Sequence, residues 1–331
     1  MKVTERRVAR ALRPGGVEVI EVSLEQLPPL EAGEVLVRVE AVGLNHAETL
    51  IRSGSYAVRL PFPFLLGGEG AGTVLTAGPG VTIPSGTRVC WAAVLGSCAT
   101  FLIVPSSMVV AIPEDVTMEQ AACVAVAGLT AGGLVRVWPL QNGSTAVVWG
   151  AAGAVGRMLV ALLADRRVNV IGIASGGRVD AVRDAGAVHV IDRSTGDVRD
   201  PVRAYTNGRG ADAIFDPIGA TTFQTSLQML APRGCLINYG ELSGPVPAVD
   251  LHQLFAGSVF VTKYNGTRWV EGTHEFAGLI SQALALAVKR PAVVSEIAGR
   301  FSLDDVVEAY RALESGPRGK VLVIPGHNAS R

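Results

Sequence analysis

A short loop of small residues between an apolar strand and an apolar helix constrains this chain more than any other feature. The sequence VVWGAAGAVGRMLVALL covers residues 147–163 and places Gly150, Gly153 and Gly156 within seven positions. Glycine permits the tight turn and close packing of a dinucleotide-binding loop, and amides at the helix start can bind a pyrophosphate. Ala151 stands at the first position of the usual G-x-G-x-x-G pattern, so this loop is a variant of it. The loop predicts a dinucleotide-binding strand–loop–helix unit, with a close-packed turn of no binding function as the alternative.

The end of the next predicted strand indicates which dinucleotide fits. An acidic side chain there would bind the adenosine 2′-hydroxyl of NAD, but residues 172–178 read GIASGGR and contain no acid. Arg178 offers a guanidinium to a 2′-phosphate, so the sequence predicts NADPH as the cofactor. Arg193, after the third strand, could add a second positive charge beside the 2′-phosphate or stack on the adenine. The alternative is that it is a solvated surface arginine. The predicted cofactor residues in this region are Gly150, Ala152, Gly153, Ala154, Val155, Gly156, Ser175, Arg178 and Arg193.

The rest of the chain predicts two domains. With 331 residues and 49% hydrophobic side chains, the chain exceeds the size at which one core usually stops growing. Short β-branched runs separated by glycine and proline predict an antiparallel, barrel-like domain over residues 1–122. Over residues 123–265, helices alternate with almost continuously apolar strands, as in a doubly wound parallel α/β domain. Residues 266–331 contain further helices and a final strand, and we expect them to return to the first domain.

Charge and cysteine content exclude several classes of protein. Lysine plus arginine equal aspartate plus glutamate at 29 each, so no net field attracts nucleic acid, anionic lipid or a polyanionic substrate. The first residues lack the apolar stretch of a secretory signal, and glycine, proline and hydroxyl residues interrupt an uncharged run at residues 90–113. Four cysteines without a C-x-x-C pair indicate neither a disulfide framework nor a zinc knuckle. We therefore expect a cytoplasmic protein with no nucleic-acid or membrane partner.

Segments along nearly the whole chain resemble the zinc-independent medium-chain dehydrogenase/reductases, in the quinone oxidoreductase and ζ-crystallin branch. They include AVGLNHAETLIRSGSY at residues 41–56, LLGGEGAGTV at 65–74, GAAGAVG at 150–156 and FDPIGATTFQTSLQMLAPRGCLINYG at 215–240. The resemblance implies a GroES-like catalytic domain built from both termini, an inserted Rossmann domain and an active site in the cleft between them. The strand GSVFVTKY at residues 257–264 resembles the family's sheet-edge dimer element, so we expect a homodimer.

The resemblance also bears on metal binding. Zinc alcohol dehydrogenases of this superfamily use a cysteine, a histidine and a second cysteine as ligands, and the corresponding positions here are Asn45, Gly68 and Val126. None of these residues can replace a thiolate or an imidazole on zinc, so we expect no metal. Without a Lewis acid, the hydride acceptor must already be electrophilic. The expected reaction is hydride transfer from NADPH to a quinone or to an alkene conjugated to a carbonyl.

Several site residues follow from the resemblance. Asn45 matches an active-site asparagine that binds substrate or the nicotinamide ribose, or it forms only an Asx turn. Tyr56 matches the proposed proton donor of enoyl thioester reductases, or it is an aromatic lid that does not titrate. His46 bonds substrate or is a satisfied, partly buried histidine, and Lys263 is interpreted as a surface lysine. The other candidates are Thr130, Tyr239 and Gly240 beside the nicotinamide and Tyr264 in the substrate pocket.

Two alternatives to quinone or enone reduction stay open. An enoyl thioester reductase would need Tyr56 as the proton donor and an opening for a pantetheine arm. A non-catalytic, NADPH-binding protein of the ζ-crystallin type would bind the cofactor without oxidising it. Turnover of a thioester, of a quinone, or of neither distinguishes the three hypotheses.

Overall fold

The structure, a computed structural model, describes residues 3–270 and 274–326. Its strands are β1 (Glu5–Ala11), β2 (Ile20–Gln26), β3 (Glu34–Gly43), β4 (Phe64–Leu65), β5 (Glu69–Ala77), β6 (Arg88–Ala92), β7 (Phe101–Pro105), β8 (Val109–Ala111), β9 (Thr145–Trp149), β10 (Asn169–Ala174), β11 (His189–Asp192), β12 (Ala211–Asp216), β13 (Leu230–Asn238), β14 (Phe260–Lys263), β15 (Ile297–Ser302) and β16 (Lys320–Ile324). Its helices are α1 (His46–Ser53), α2 (Met118–Val137), α3 (Ala154–Asp165), α4 (Val179–Asp184), α5 (Arg199–Tyr205), α6 (Phe223–Met229), α7 (His252–Phe255), α8 (Gly266–Val270), α9 (Glu275–Lys289) and α10 (Val306–Glu314).

The chain divides into two compact units. The first comprises Met1–Leu129, His274–Lys289 and Ser295–Arg331, and the second comprises Thr130–Thr273 and Arg290–Val294. The domain limits expected from the sequence lie at 122/123 and 265/266 and differ from the ends of these units. Those expected limits stay a prediction. Because the helix α2 continues from the first unit into the second, the sequence pattern has no break at that boundary.

The first unit is built on two sheets. The larger has the order β15-β16-β3-β5-β6-β8, with β7 also paired to β3, and the smaller has the order β2-β1-β4. Their pairs are antiparallel, as predicted, except for β15 with β16. These two strands run parallel because α10 connects them along the chain and returns it to the end of the sheet at which β15 begins. The final strand β16 pairs with β3, with Leu322 opposite Gly43, next to the start of α1.

The second unit contains a six-stranded sheet in the order β11-β10-β9-β12-β13-β14. Every pair in it is parallel. From the central strand β9 the chain first adds strands on one side, β10 and β11, and then on the other, β12 to β14. The strand order therefore reverses between β9 and β12. Ligands of open α/β sheets bind outside the carboxyl ends of the strands at such a point. The loop that follows β9 begins there.

The long helix α2 is apolar enough to cross a membrane by length and composition. However, 72% of its most apolar window is buried inside the protein. On its inner face Gly128 lies so close to Ala283 of α9 that a β-carbon at Gly128 would be 2.2 Å from the Ala283 methyl group. These contacts are those of a core helix in a folded domain.

Candidate active site and cofactor loop

The loop after β9 has the geometry of a dinucleotide-binding turn. Gly150 has a φ of 61°, in the left-handed region that favours glycine. Gly153 is the residue that precedes the first turn of α3, and its amide donates to the Gly150 carbonyl at 2.9 Å. A β-carbon at Gly156 would lie 2.3 Å from the same carbonyl oxygen. Glycine at 156 thus allows the first turn of α3 to pack on the loop.

The end of β10 presents a cation rather than an acid. Arg178 is half-buried, and its Nε donates to the carbonyl of Ser175 at 3.1 Å, which holds the guanidinium beside the strand end. The adjacent acid, Asp192 at the end of β11, accepts from the amide and hydroxyl of Ser194, and these bonds hold its pKa below the usual value. Arg193 is exposed. This edge fits a 2′-phosphate better than a free 2′-hydroxyl.

Polar residues also occupy the carboxyl ends of the next three strands. Asp216 is fully buried, and burial raises its pKa despite hydrogen bonds from Thr222 and nearby amides. The side chain of Asn238 donates to the carbonyl of Asp216 at 3.0 Å and accepts from Lys263 Nζ at 2.9 Å. Lys263 also forms an ion pair with Glu241. Lys263 is exposed, as interpreted from the sequence, and it also takes part in a polar network at this end of the sheet that the sequence did not predict.

The candidates Tyr239 and Gly240 follow directly after that network. A β-carbon at Gly240 would lie 2.4 Å from the carbonyl oxygen of Pro217, so the two strand-end loops approach closely. Loss of hydration and the nearby charge of Asp216 raise the pKa of Tyr239. Thr130, the third candidate beside the nicotinamide, is a half-buried residue of α2.

Tyr264 is more enclosed than a residue that lines an open pocket. It is 8% exposed, its ring lies 5.8 Å from that of Trp269, and its hydroxyl has no hydrogen-bond partner within the described residues. A β-carbon at Gly133 of α2 would lie 1.9 Å from this hydroxyl oxygen. Burial raises the pKa of Tyr264 to about 12. The structure thus places Tyr264 under α2, as a neutral phenol against Gly133.

In the first unit, Asn45 is held by two charged side chains. Its Oδ1 accepts from Lys320 Nζ at 2.8 Å, and its Nδ2 donates to Glu69 Oε1 at 2.8 Å. Lys320 and Glu69 form an ion pair of their own, with side chains 7% and 0% exposed. The second Glu69 oxygen accepts from the Val126 amide at 2.7 Å. Nδ2 also faces the Gly43 carbonyl at 3.3 Å, so the side-chain amide donors are in use.

A second buried carboxylate, Glu48, lies one turn into α1. It accepts from the backbone amide of Asn45 at 3.1 Å, the backbone amide of Gly67 at 3.2 Å and the Tyr310 hydroxyl at 2.6 Å. Burial raises the pKa of Glu48, and the same burial raises that of Tyr310 well above its usual value. These bonds fix the start of α1 and with it the backbone of Asn45.

The two other candidates of this unit lie at opposite ends of α1. His46 is its first residue, and burial lowers the pKa of the half-exposed imidazole. Tyr56 follows the Gly54 cap and is only partly buried; its amide donates to the Leu50 carbonyl at 3.2 Å. Eight helical residues separate the ends of α1 by about 12 Å. The structure brings together Asn45, Glu48, Glu69 and Lys320.

The same positions bear on zinc. Asn45, Gly68 and Val126 supply no thiolate or imidazole, and the ammonium of Lys320 contacts both Asn45 and Glu69. In the described parts of the chain, no three side chains of histidine, cysteine, aspartate or glutamate come together as a metal site. A dication would also be repelled by the lysine charge. These residues do not fit a zinc ion.

Two family models match the chain. Residues 31–136 match the alcohol dehydrogenase GroES-like domain, and residues 154–285 match the zinc-binding dehydrogenase domain. Together with the parallel sheet and its glycine loop, these domains define a medium-chain dehydrogenase/reductase. The predicted fold class, a GroES-like domain with a doubly wound Rossmann domain, is confirmed.

Relatives with known names define the family more narrowly. A quinone oxidoreductase from Pseudomonas aeruginosa is 34% identical and covers 94% of this chain and 97% of its own. A 2-haloacrylate reductase from a Burkholderia species is 29% identical over 88% of this chain and 91% of its own. The chain belongs to the quinone oxidoreductase family, as the sequence segments predicted, and is an oxidoreductase.

Solved structures of relatives have the same fold. A mycobacterial protein complexed with NADPH superposes with a TM-score of 0.87 and is 35% identical, over 96% of this chain and all of the other. The Escherichia coli quinone oxidoreductase complexed with NADPH gives a TM-score of 0.86 at 29% identity, again over 96% of this chain and all of the other.

Proposed function

We propose that this protein is an NADPH-dependent oxidoreductase that transfers hydride, without a metal ion, to a quinone or to an α,β-unsaturated carbonyl compound. The observation that carries the proposal is the combination of a glycine loop after β9 with Arg178 and no acid at the end of β10. The names of the relatives, quinone oxidoreductase and 2-haloacrylate reductase, support acceptors that are conjugated and electrophilic.

The cofactor would be held by the second unit. Amides at the start of α3 would bind its pyrophosphate, and glycine at 150 and 156 permits the tight turn and the close packing of the loop on α3. Arg178 would bond the 2′-phosphate, and the exposed Arg193 would add a second positive charge. When bound, NADPH supplies the hydride. Its presence in the solved mycobacterial and Escherichia coli relatives supports this choice.

The chain's own residues would prepare the acceptor side without a Lewis acid. The ion pair of Lys320 with Glu69 fixes the carboxamide of Asn45, which would face a hydroxyl donor such as a nicotinamide ribose with Oδ1. A quinone or an enone delocalises the incoming negative charge onto its own oxygen. Reduction of such an acceptor then requires a proton, for which Tyr56 or water is the candidate source.

An acceptor screen that follows NADPH absorbance tests the proposal. We expect naphthoquinone or an enone to be reduced and crotonyl thioester to be a poor substrate. Strong thioester reduction that disappears in Tyr56→Phe would favour the enoyl thioester alternative instead. Quenching of NADPH fluorescence without oxidation by any acceptor would favour the non-catalytic alternative.

The cofactor preference is tested at one residue. Arg178→Ala should weaken NADPH binding by about 10-fold to 100-fold, because a charge-assisted hydrogen bond is lost, while NADH binding changes little. Arg183→Ala, in the exposed ion pair with Asp180 on α4, is the matched control and should leave both affinities unchanged. Equal loss for both nucleotides in Arg178→Ala would contradict the assignment of the 2′-phosphate.

We also propose that the protein is a cytoplasmic homodimer. The edge strand β14 has its outer side unpaired in the described chain, and Phe260 on it is 51% exposed. Phe255 and Leu251, nearby in sequence, are 84% and 76% exposed, so three large apolar side chains within ten residues face solvent. The four buried, unpaired cysteines suit a reducing compartment. Sedimentation of Phe260→Asp as a monomer beside a dimeric wild type would support this assembly, and a monomeric wild type would contradict it.

A further inference from the structure

The side chain of Lys320 is buried between two site residues, Asn45 and Glu69. Lys320 is the first residue of β16, 275 positions from Asn45, and its Nζ reaches both Asn45 Oδ1 and Glu69 Oε1. Glu69 is itself fully buried at the start of β5. A buried carboxylate is costly unless a cation and hydrogen bonds compensate its charge. Lys320 supplies that cation.

The lysine also determines how the Asn45 carboxamide is oriented. An ammonium can only donate, so it must face the carbonyl oxygen of the amide. The carboxylate of Glu69 can only accept, so it must face Nδ2. Exchange of the two amide ends would place donor against donor and acceptor against acceptor. The pair of Lys320 and Glu69 therefore allows a single orientation of Asn45.

Gly43 provides the space that this arrangement needs. It is the last residue of β3 and lies beside β16 in the sheet. A β-carbon there would lie 2.6 Å from Lys320 Cε and 2.8 Å from Glu69 Oε1. It would also lie 2.3 Å from the carbonyl oxygen of Ala122. Any larger residue at 43 would displace the lysine stem, so the backbone is shaped to admit it.

We propose that Lys320 is a positioning residue for the reaction, which acts through Asn45. Its ammonium orients the Asn45 carboxamide and neutralises the charge of Glu69. The chain's own lysine thus places a positive charge near the three positions that bind zinc in other members of the superfamily. This inference rests on the proposed function, in which Asn45 contributes to hydride transfer.

A first experiment tests the charge pair without any measurement of turnover. The unfolding free energy is measured for wild type, Lys320→Met, Glu69→Gln and the double variant. Each single change leaves one buried charge without its partner, so we expect the double variant to be more stable than the sum of the two single losses predicts. Strictly additive losses would overturn the proposal, whatever the enzyme's activity. Arg300→Met, which breaks an exposed pair with Glu119, is the control and should have little effect.

A second experiment tests whether Lys320 acts through Asn45. Lys320→Met and Asn45→Ala should each lower kcat with naphthoquinone by about 10-fold to 100-fold, and Lys320→Met should weaken NADPH affinity, measured by fluorescence titration, no more than Asn45→Ala does. The double variant Lys320→Met with Asn45→Ala should be no slower than the slower single variant. Multiplied losses in the double variant, or a normal kcat in either single variant, would overturn the proposal. Absence of turnover in the wild type would instead contradict the proposed function, and the stability experiment would then decide on the charge pair.

Discussion

Lys320 Nζ donates a hydrogen bond to Asn45 Oδ1 across 2.8 Å, although 275 residues separate the two in sequence. The bond joins the start of the last strand to the residue that precedes α1, and Glu69 completes the triangle with both. The residue expected to contact substrate or cofactor is therefore part of a buried ionic network. What Asn45 can offer to a ligand is decided by its neighbours as much as by its own side chain.

The glycine at 156 is expected to be indispensable for cofactor binding. In Gly156→Ala the new methyl group would lie 2.3 Å from the Gly150 carbonyl oxygen and 2.7 Å from Ala151 Cα, so the loop or α3 must move. We expect a loss of about 1–3 kcal/mol in the free energy of unfolding, typical of overpacking, together with at least a tenfold weaker NADPH affinity.

The matched control for that change is Gly278→Ala in α9, where a β-carbon would meet no atom within 4 Å. Alanine is the better helix former, so this variant should be as stable as the wild type or more stable by up to about 1 kcal/mol. Normal NADPH titration of Gly156→Ala would show that the loop does not pack as described.

Replacement of the enclosed tyrosine by phenylalanine should not destabilise the protein. The Tyr264 hydroxyl is buried without a partner in the described chain, so Tyr264→Phe removes a desolvation cost and should raise the free energy of unfolding by up to about 1 kcal/mol. Gly133→Ala should have the opposite effect, because its methyl group would lie 1.9 Å from the hydroxyl oxygen. A marked loss in Tyr264→Phe, measured by denaturant titration, would indicate that the hydroxyl has a bound partner.

His46 should make stability depend on pH. Burial lowers the pKa of the folded imidazole below the ordinary 6.5, so between these two pKa values the unfolded chain binds more protons than the folded one. The stability from the neutral imidazole is complete above pH 6.5 and decreases as the pH falls through that window. His46→Gln should therefore lose less stability than wild type between pH 7 and pH 5. Parallel curves of Tm against pH for the two proteins would contradict the assignment.

The native cysteines should be unreactive. All four are buried and unpaired, and burial raises the pKa of Cys90, Cys123 and Cys235 to about 12. With a pKa near 12, only about one thiol in 10⁴ is ionised at pH 8. Alkylation at pH 8 should label none of the cysteines rapidly in the folded protein and all four in denaturant. Rapid labelling of a native cysteine, located by peptide mass spectrometry, would contradict this burial.

The sequence predicted the features that depend on neighbouring residues. The GAAGAVG loop, the apolar strands and the lack of an acid at the end of β10 are local patterns, and the family and fold they indicated are confirmed. Asn45 was a candidate because its surroundings match a family motif. Its partner Lys320 was not a candidate, since a lysine at the start of a strand is usually solvated. Only the pairing of β16 with β3 brings that lysine to the site.

Polar strand ends were the second feature that the sequence analysis did not identify. Asp216, Asn238 and Lys263 each end an apolar run, and the parallel register of β12, β13 and β14 aligns them at one edge. A local signal existed, because a polar residue that closes a buried strand commonly faces the ligand side of such a sheet. The enclosure of Tyr264, in contrast, depends on Gly133 of a distant helix and had no local signal.

The most direct test of the account is to measure NADPH oxidation by naphthoquinone before and after removal of metal ions, with the metal content of the same samples. We expect the same rate in both samples and far less than one zinc per chain, since Lys320 supplies the positive charge beside Asn45. Activity that is lost with a chelator and restored by zinc, with one zinc bound per chain, would contradict it.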